Sequence, residues 1–155
     1  MSATDGPAIA AVGEDDLGDL LPLMRAYCDF YDVGPSDEDL LALSRALIAD
    51  PGHEGVQLIA RDAGGAALGF ATVYWTWSTT RAARIGVMND LFVTPQARGM
   101  RLGEALIEAC AERCRERGIA SLQWKTALDN TRAQALYDRI GGRRAQWLDY
   151  DLAVR

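Results

Sequence analysis

Leu91-Phe92-Val93-Thr94-Pro95-Gln96-Ala97-Arg98-Gly99-Met100-Arg101-Leu102-Gly103 is the stretch on which the reading of this chain turns. It sets an apolar strand, a tight turn and a helix start in succession. The first amides of a helix lack intrahelical acceptors and point out of its end. With the helix dipole behind them they attract anions. Arg98 and Arg101 add positive charge there, so a pyrophosphate is the natural guest. The two common phosphate loops do not fit. The Walker pattern needs a Gly-Lys-Ser/Thr ending, and the dinucleotide fingerprint needs G-x-G-x-x-G after a first strand. A purely structural strand-to-helix turn is the competing reading.

Downstream, a helix runs from about 99 to 117 with Leu102, Leu106, Cys110 and Cys114 as its buried stripe. Gly118 suits the residue just past its end. Residues 119–126 read as a strand. Asp129 or Asn130 then caps a helix carrying Ala133, Leu136, Tyr137 and Ile140, which Gly141-Gly142 stops. Residues 144–154 alternate and read as a last strand.

Upstream, residues 8–12 read as a first strand. Leu17, Leu20, Leu21, Met24 and Cys28 follow at helical spacing around Pro22, a residue that kinks or shortens helices. Ser36, with Asp39 three residues on, opens a second helix, which Asp50-Pro51-Gly52 ends. Residues 56–61 and 67–77 form a hairpin around the glycines of 62–65, and 84–93 is a third strand. The strands of 56–93 are antiparallel, and strand–helix–strand over 84–126 is a parallel crossover. The fold class is α/β: a mixed, mostly antiparallel central sheet flanked by helices.

Composition bounds the rest. A chain of 155 residues fits one domain over 1–155, with 1–7 as a flexible tail. The net charge of −6 excludes the basic footprint of a nucleic-acid binder and serves solubility. No apolar run reaches the ~18 residues of a membrane span. The start of the chain has neither the basic stretch nor the apolar run of a signal peptide, and its cysteines read as buried thiols in a reducing cytoplasm. Three cysteines cannot all pair, and no Cys/His cluster suggests a metal. The single histidine, His53, reads as a surface loop residue.

Arg98 to Gly103 resembles the Q/R-x-x-G-x-G/A motif of the Gcn5-related N-acetyltransferase (GNAT) family. The frame around it agrees. Asn89-Asp90-Leu91-Phe92-Val93 is similar to the family's fourth strand. Leu122-Gln123-Trp124-Lys125-Thr126, Asp129-Asn130, Ala133 and Leu136-Tyr137-Asp138-Arg139-Ile140-Gly141 are similar to its fifth strand and following helix. The resemblance covers roughly residues 56–142. It departs at Arg101, which replaces the motif's central glycine. Because that position falls within the helix start, its backbone is expected to suit a non-glycine residue. Arg101 then either reaches a phosphate or lies on the surface.

The resemblance implies an acyl-CoA N-acyltransferase fold and acetyl-CoA as cosubstrate. It implies that Leu91, Phe92, Val93, Arg98, Gly99, Met100, Arg101, Leu102, Gly103, Asn130, Ala133 and Tyr137 bind it, with backbone groups of Leu91 and Val93 pairing with the pantetheine arm. It implies direct attack by an amine in a ternary complex, with Tyr137 as general acid. A phenol of reference pKa ~10 can protonate a thiolate of pKa ~8.5. Asn89, where many relatives carry Glu, cannot itself act as a base at neutral pH. Asp90 is expected on the opposite strand face. The base is left open among a water wire, Tyr27, Asp29, Tyr31, Asp32 and an amine that arrives unprotonated. Trp75 and Trp77 share one strand face, and with Tyr27 and Tyr31 they are candidates for the acceptor pocket, ordinary core packing being the alternative. The acceptor expected is a primary amine of a small molecule. A protein lysine or N-terminus, or a non-catalytic acyl-CoA-binding role, are the alternatives. The family also implies a homodimer, for which the last strand offers an edge.

Overall fold

A computed structural model describes residues 6–154. It divides into two compact units that meet in sequence between Lys125 and Thr126. The expected tail at 1–7 lies mostly outside the described residues.

Local chemistry accounts for the elements of the first unit. Strand β1 (Ala8–Ala11) leads into a single 3-10 turn at Glu14–Asp16 and helix α1 (Leu17–Phe30). Asp16 Oδ2 accepts from the Gly13 amide at 2.9 Å, and its Oδ1 accepts from Arg61 at 2.8 Å. These two partners, the amide first, hold the Asp16 carboxyl below the usual carboxylate range. Helix α1 continues through Pro22 and buries Leu17, Leu20, Leu23, Met24 and Cys28. Helix α2 (Asp37–Ala49) starts at Ser36, whose hydroxyl accepts from the Asp39 amide at 3.1 Å.

Strands β2 (Gly55–Arg61), β3 (Ala67–Ser78) and β4 (Ala83–Val93) form an antiparallel meander. The first turn is fixed by Asp62, whose carboxylate takes the amides of Gly64 and Ala66 at 2.9 Å each. Helix α3 (Leu102–Glu116) returns the chain to β5 (Leu122–Gln123), which pairs parallel to β4. The sheet order is β1-β2-β3-β4-β5.

The sheet separates two apolar layers. On one face Phe70 and Ile59 pack with Leu20, Met24 and Leu40 from α1 and α2. On the other, Val73 and Trp75 approach Gly86 and Cys114 of α3. All three cysteines are free and buried. Burial pushes the Cys110 thiol up to about 12, so it behaves as a small apolar side chain.

Three expectations need correction. Helix α3 begins at Leu102 rather than Gly99, because Gly99 and Arg101 both take positive φ. The strand expected over 119–126 pairs only at Leu122–Gln123. The strand expected over 144–154 is absent, those residues forming neither strand nor helix. Alternation marks a segment able to pair, but it does not by itself supply a partner.

The second unit contains α4 (Thr131–Arg139), opened by Asn130, whose side chain accepts from the Ala133 amide at 3.3 Å. Gly141, at φ 91°, ends it, and the Gly142 amide returns to the Tyr137 carbonyl at 2.9 Å.

The α3 packing yields a direct test. A Cβ on Gly86 would lie 2.8 Å from Cys114 Sγ and 3.3 Å from both Trp75 and Val73. Gly86→Ala is expected to destabilise the protein by about 1–3 kcal/mol through overpacking. The cost is expected to shrink in a Cys114→Ala background, as measured by denaturant unfolding of the four proteins in the cycle. Equal cost in both backgrounds would show that the thiol is not the obstacle.

Candidate active site

Two irregularities in β4 build the site. The first is its ladder with β5, which ends at Val87–Gln123 while β4 runs on to Val93. From Met88 onward β4 is paired on one side only within the sheet. The Thr94 amide donates to the Leu68 carbonyl of β3 at 2.8 Å. By strand alternation, Val93 and Leu91 turn their own amides and carbonyls to the open edge. An extended ligand can pair with them as a missing strand would.

The second is a bulge. Thr72 pairs with Asp90 and Val73 with Met88, so Asn89 is the extra residue. The bulge shifts the alternation. Asp90 therefore faces α1 with Phe92, and the expectation that simple alternation sets it opposite Asn89 rests on a register that the strand does not keep. Three groups surround its carboxyl. Asn89 Nδ2 donates to Asp90 Oδ1 at 2.9 Å. The hydroxyls of Thr72 and Tyr27 lie beside it. Thr72 Oγ1 accepts from the buried Gln57 amide at 3.1 Å, leaving its proton for the carboxylate. Burial outweighs these donors and raises the Asp90 carboxyl above its ordinary range.

Tyr27 closes this pocket. Its hydroxyl donates to the Asn89 carbonyl at 3.3 Å. Burial, then the Asp90 charge and Tyr31, push its phenol strongly upward, so it is a donor rather than a base. Tyr74 is held up to about 12 by burial and by Asp90. Tyr27 contacts Tyr31 edge-to-face at 5.0 Å, and Tyr31 contacts Phe30 at 5.1 Å. Phe30 and Tyr31 are exposed, so an aromatic lip leads from the surface toward Asp90. Aromatic faces beside a carboxylate favour a cation.

At the far end of β4, Thr94 to Arg101 form the turn into α3. The first helical bond runs from the Ala105 amide to the Arg101 carbonyl, so the amides of Leu102 and Gly103 have no intrahelical acceptor. The Thr94 hydroxyl is buried without a partner among the described residues. An open strand edge ending at free helix amides, with Arg98 and Arg101 beside them, fits a pantetheine arm and its pyrophosphate. Arg101 corrects one expectation: its φ is 57° and its ψ 25°, in the left-handed region that favours glycine.

The structure does not bring all expected residues together. Tyr27 meets Asn89 and Asp90, and Tyr31 joins them through its contact with Tyr27, but Trp75 and Trp77 lie on the other sheet face. There they carry Arg117 at 4.8 Å and Arg84 at 5.1 Å. His53 is exposed and bound to Asp50 at 3.0 Å. Asn130, Ala133 and Tyr137 lie on or next to α4 in the second unit, where Asn130 caps the helix. Asp90 is the residue that sequence reasoning passed over. Only the bulge, a long-range register feature, reveals it.

A family model described as the acetyltransferase (GNAT) family matches residues 20–142. An uncharacterized N-acetyltransferase, YhfO, of Bacillus subtilis is 32% identical over 126 residues, 81% of this chain and 83% of that one. A mycothiol acetyltransferase of Sanguibacter keddieii is 32% identical over 134 residues, 86% of this chain but 42% of its own length. The fold matches that of AAC(6')-Iy solved with the bisubstrate analogue CoA-S-monomethyl-acetylneamine. The TM-score is 0.83 at 18% identity, over 96% of this chain and 99% of that one.

The Arg101 backbone makes a prediction. A non-glycine residue in the left-handed region costs ~1–2 kcal/mol, of which the larger unfolded-state freedom of glycine takes back ~0.5–1. Arg101→Gly is expected to raise the thermal midpoint by about 1–4 °C, and Arg101→Ala, which keeps the strain, is not. A lower midpoint for Arg101→Gly would mean that the side chain contributes more than the backbone loses.

Proposed function

The chain belongs to the GNAT family of acetyltransferases, and from that premise we propose that it is an acetyl-CoA-dependent enzyme acetylating a primary amine of a small molecule. The observation that carries this reading is Asp90, a desolvated carboxylate at the end of an aromatic lip and beside an open strand edge. The relatives support the substrate class: one is named for mycothiol, and a protein of the same fold was solved with an acetylneamine analogue. We infer that the chain works as a single domain in the cytoplasm. No helix among the described residues is long and apolar enough to cross a membrane. A homodimer is supported by the segment that holds Trp147, Leu148, Tyr150, Leu152 and Val154, all highly exposed in one chain.

Leu91 and Val93 would hold the pantetheine arm by their backbone groups, with Phe92 between them. Arg98, Gly99, Met100, Arg101, Leu102 and Gly103 would hold the pyrophosphate. Acetyl-CoA bound there supplies an activated acetyl thioester. The Asp90 carboxylate attracts the ammonium form of the acceptor and takes one proton from it, which frees the nitrogen lone pair to attack; the proton that the nitrogen sheds after attack replaces the one given to the departing sulfur. Asn89, through its amide on Asp90 Oδ1, orients the carboxylate. Tyr27 stays protonated and donates. Tyr137 is the proposed donor to the departing sulfur, and Asn130 and Ala133 the proposed further cofactor contacts, on the resemblance of their motif.

A base must be ionised to act. Because burial raises Asp90, the acid limb of kcat/KM is expected above the ordinary carboxylate value of ~3.9, with activity lost as pH falls through it. Asp90→Asn is expected to remove that limb and cost roughly 100- to 10,000-fold in kcat against a panel of amines, followed by thiol release. An unchanged limb and rate in Asp90→Asn would end the assignment of Asp90.

A further inference from the structure

A second concave site lies at the other end of β4. It is a cleft of about 690 Å³, floored by Trp75, Ile85 and Ile119 and rimmed by Arg81, Arg84 and Arg117. Clefts of ~300–1,000 Å³ are the size of small-molecule sites. Nine positions separate Arg84 from Val93, and at ~3.4 Å per residue this puts the cleft roughly 30 Å from the cofactor turn. Helix α3, about 22 Å long at ~1.5 Å per residue, covers most of that distance in reverse: its first amides face the proposed pyrophosphate, and its last turn forms a wall of this cleft.

Its charge is unusual for this chain. Acidic residues outnumber basic ones, 22 to 16. Arg25, Arg45, Arg61 and Arg115 are accordingly each held by Asp or Glu. None of the ion pairs among the described residues uses Arg81, Arg84 or Arg117. The one carboxylate on the rim, Glu116, leans toward Arg113 at 3.9 Å. Three guanidiniums therefore face the cavity against one carboxylate.

Two of them are fixed before any ligand arrives. Arg117 stacks over Trp75 at 4.8 Å and donates to the Pro51 carbonyl at 3.1 Å, which Trp75 Nε1 also meets at 2.9 Å. Arg84 stacks over Trp77 at 5.1 Å. A stacked guanidinium has already given up much of its rotamer freedom and keeps N–H groups for paired acceptor oxygens. The carbonyls at the end of α3 would repel an anion, but those of Cys114 and Arg115 are taken by the amides of Arg117, Gly118 and Ile119.

We propose that this cleft is a binding site for a small polyanion carrying two or more carboxylate or phosphate groups, separate from the acetyl-transfer site. Arg84 and Arg117 act as pre-oriented forks, and Arg81 closes the rim.

The test is calorimetric titration of the full chain with citrate and, separately, with inorganic pyrophosphate, each against NaCl of equal ionic strength. The two probes distinguish a carboxylate from a phosphate ligand. Each titration is run with and without saturating CoA, since pyrophosphate also suits the α3 amides. At least one probe is expected to bind with a Kd below ~1 mM, with CoA present. Arg81→Ala/Arg84→Ala is expected to weaken it at least ~10-fold, the loss of two charge-assisted contacts, while Arg45→Ala, outside both sites, leaves it unchanged. Arg81→Ala alone, an exposed position, keeps the test valid if loss of the Arg84–Trp77 stack unfolds the protein. Neither probe binding above the salt control would overturn the proposal, as would binding that survives both substitutions. The readout is affinity, so it stands or falls independently of acetyl transfer.

Discussion

Between Met88 and Val93, strand β4 has a ladder partner on one side only among the described residues, and the rest of the candidate site depends on that. Its parallel partner β5 stays beside it for two residue pairs and then ends. An unpaired strand edge is normally a liability. Here it runs into a turn whose exit is a helix start with unclaimed amides. The sheet supplies backbone groups, and the helix supplies the positive end of its dipole. An elongated ligand with an anionic middle satisfies both.

The bulge at Asn89 adds the second half of the chemistry. One extra residue turns Asp90 toward α1, where Tyr27, Thr72 and Asn89 surround it. Burial and hydrogen bonding act in opposite directions on its carboxyl, and burial prevails. The outcome is a carboxylate that binds protons more readily than an exposed one. Tyr27 and Tyr74 shift in the same direction: each is driven further into its neutral, proton-donating form by burial and by the Asp90 charge.

Features set by a few adjacent residues were legible in the sequence. Ser36 caps α2, Asn130 caps α4, Asp62 and Gly65 close the hairpin, and Gly118 and Gly141 end helices at positive φ. The glycine-rich turn marked the start of α3 to within a few residues. What stayed hidden depends on distant pairing. A bulge is a mismatch between two strands and leaves no local mark on Asn89. Trp75 and Trp77 alternate correctly, but which face meets α1 is decided by helices far away in sequence. Residues 144–154 carry strand periodicity, yet alternation alone does not supply a partner strand. Arg101 was misjudged because the helix begins one residue after it, and that single step moves it into the left-handed region.

The central claim is that the open edge of β4 and the start of α3 form an acetyl-CoA site. Thermal unfolding with acetyl-CoA, CoA, ATP and NAD in parallel tests it most directly. A ligand at ~100 times its dissociation constant adds ~2.7 kcal/mol, which for a domain of this size raises the midpoint by about 5–10 °C. A rise of that order with acetyl-CoA and CoA, and not with NAD, is the result expected. No rise with either thioester or free CoA at millimolar concentration would contradict the account.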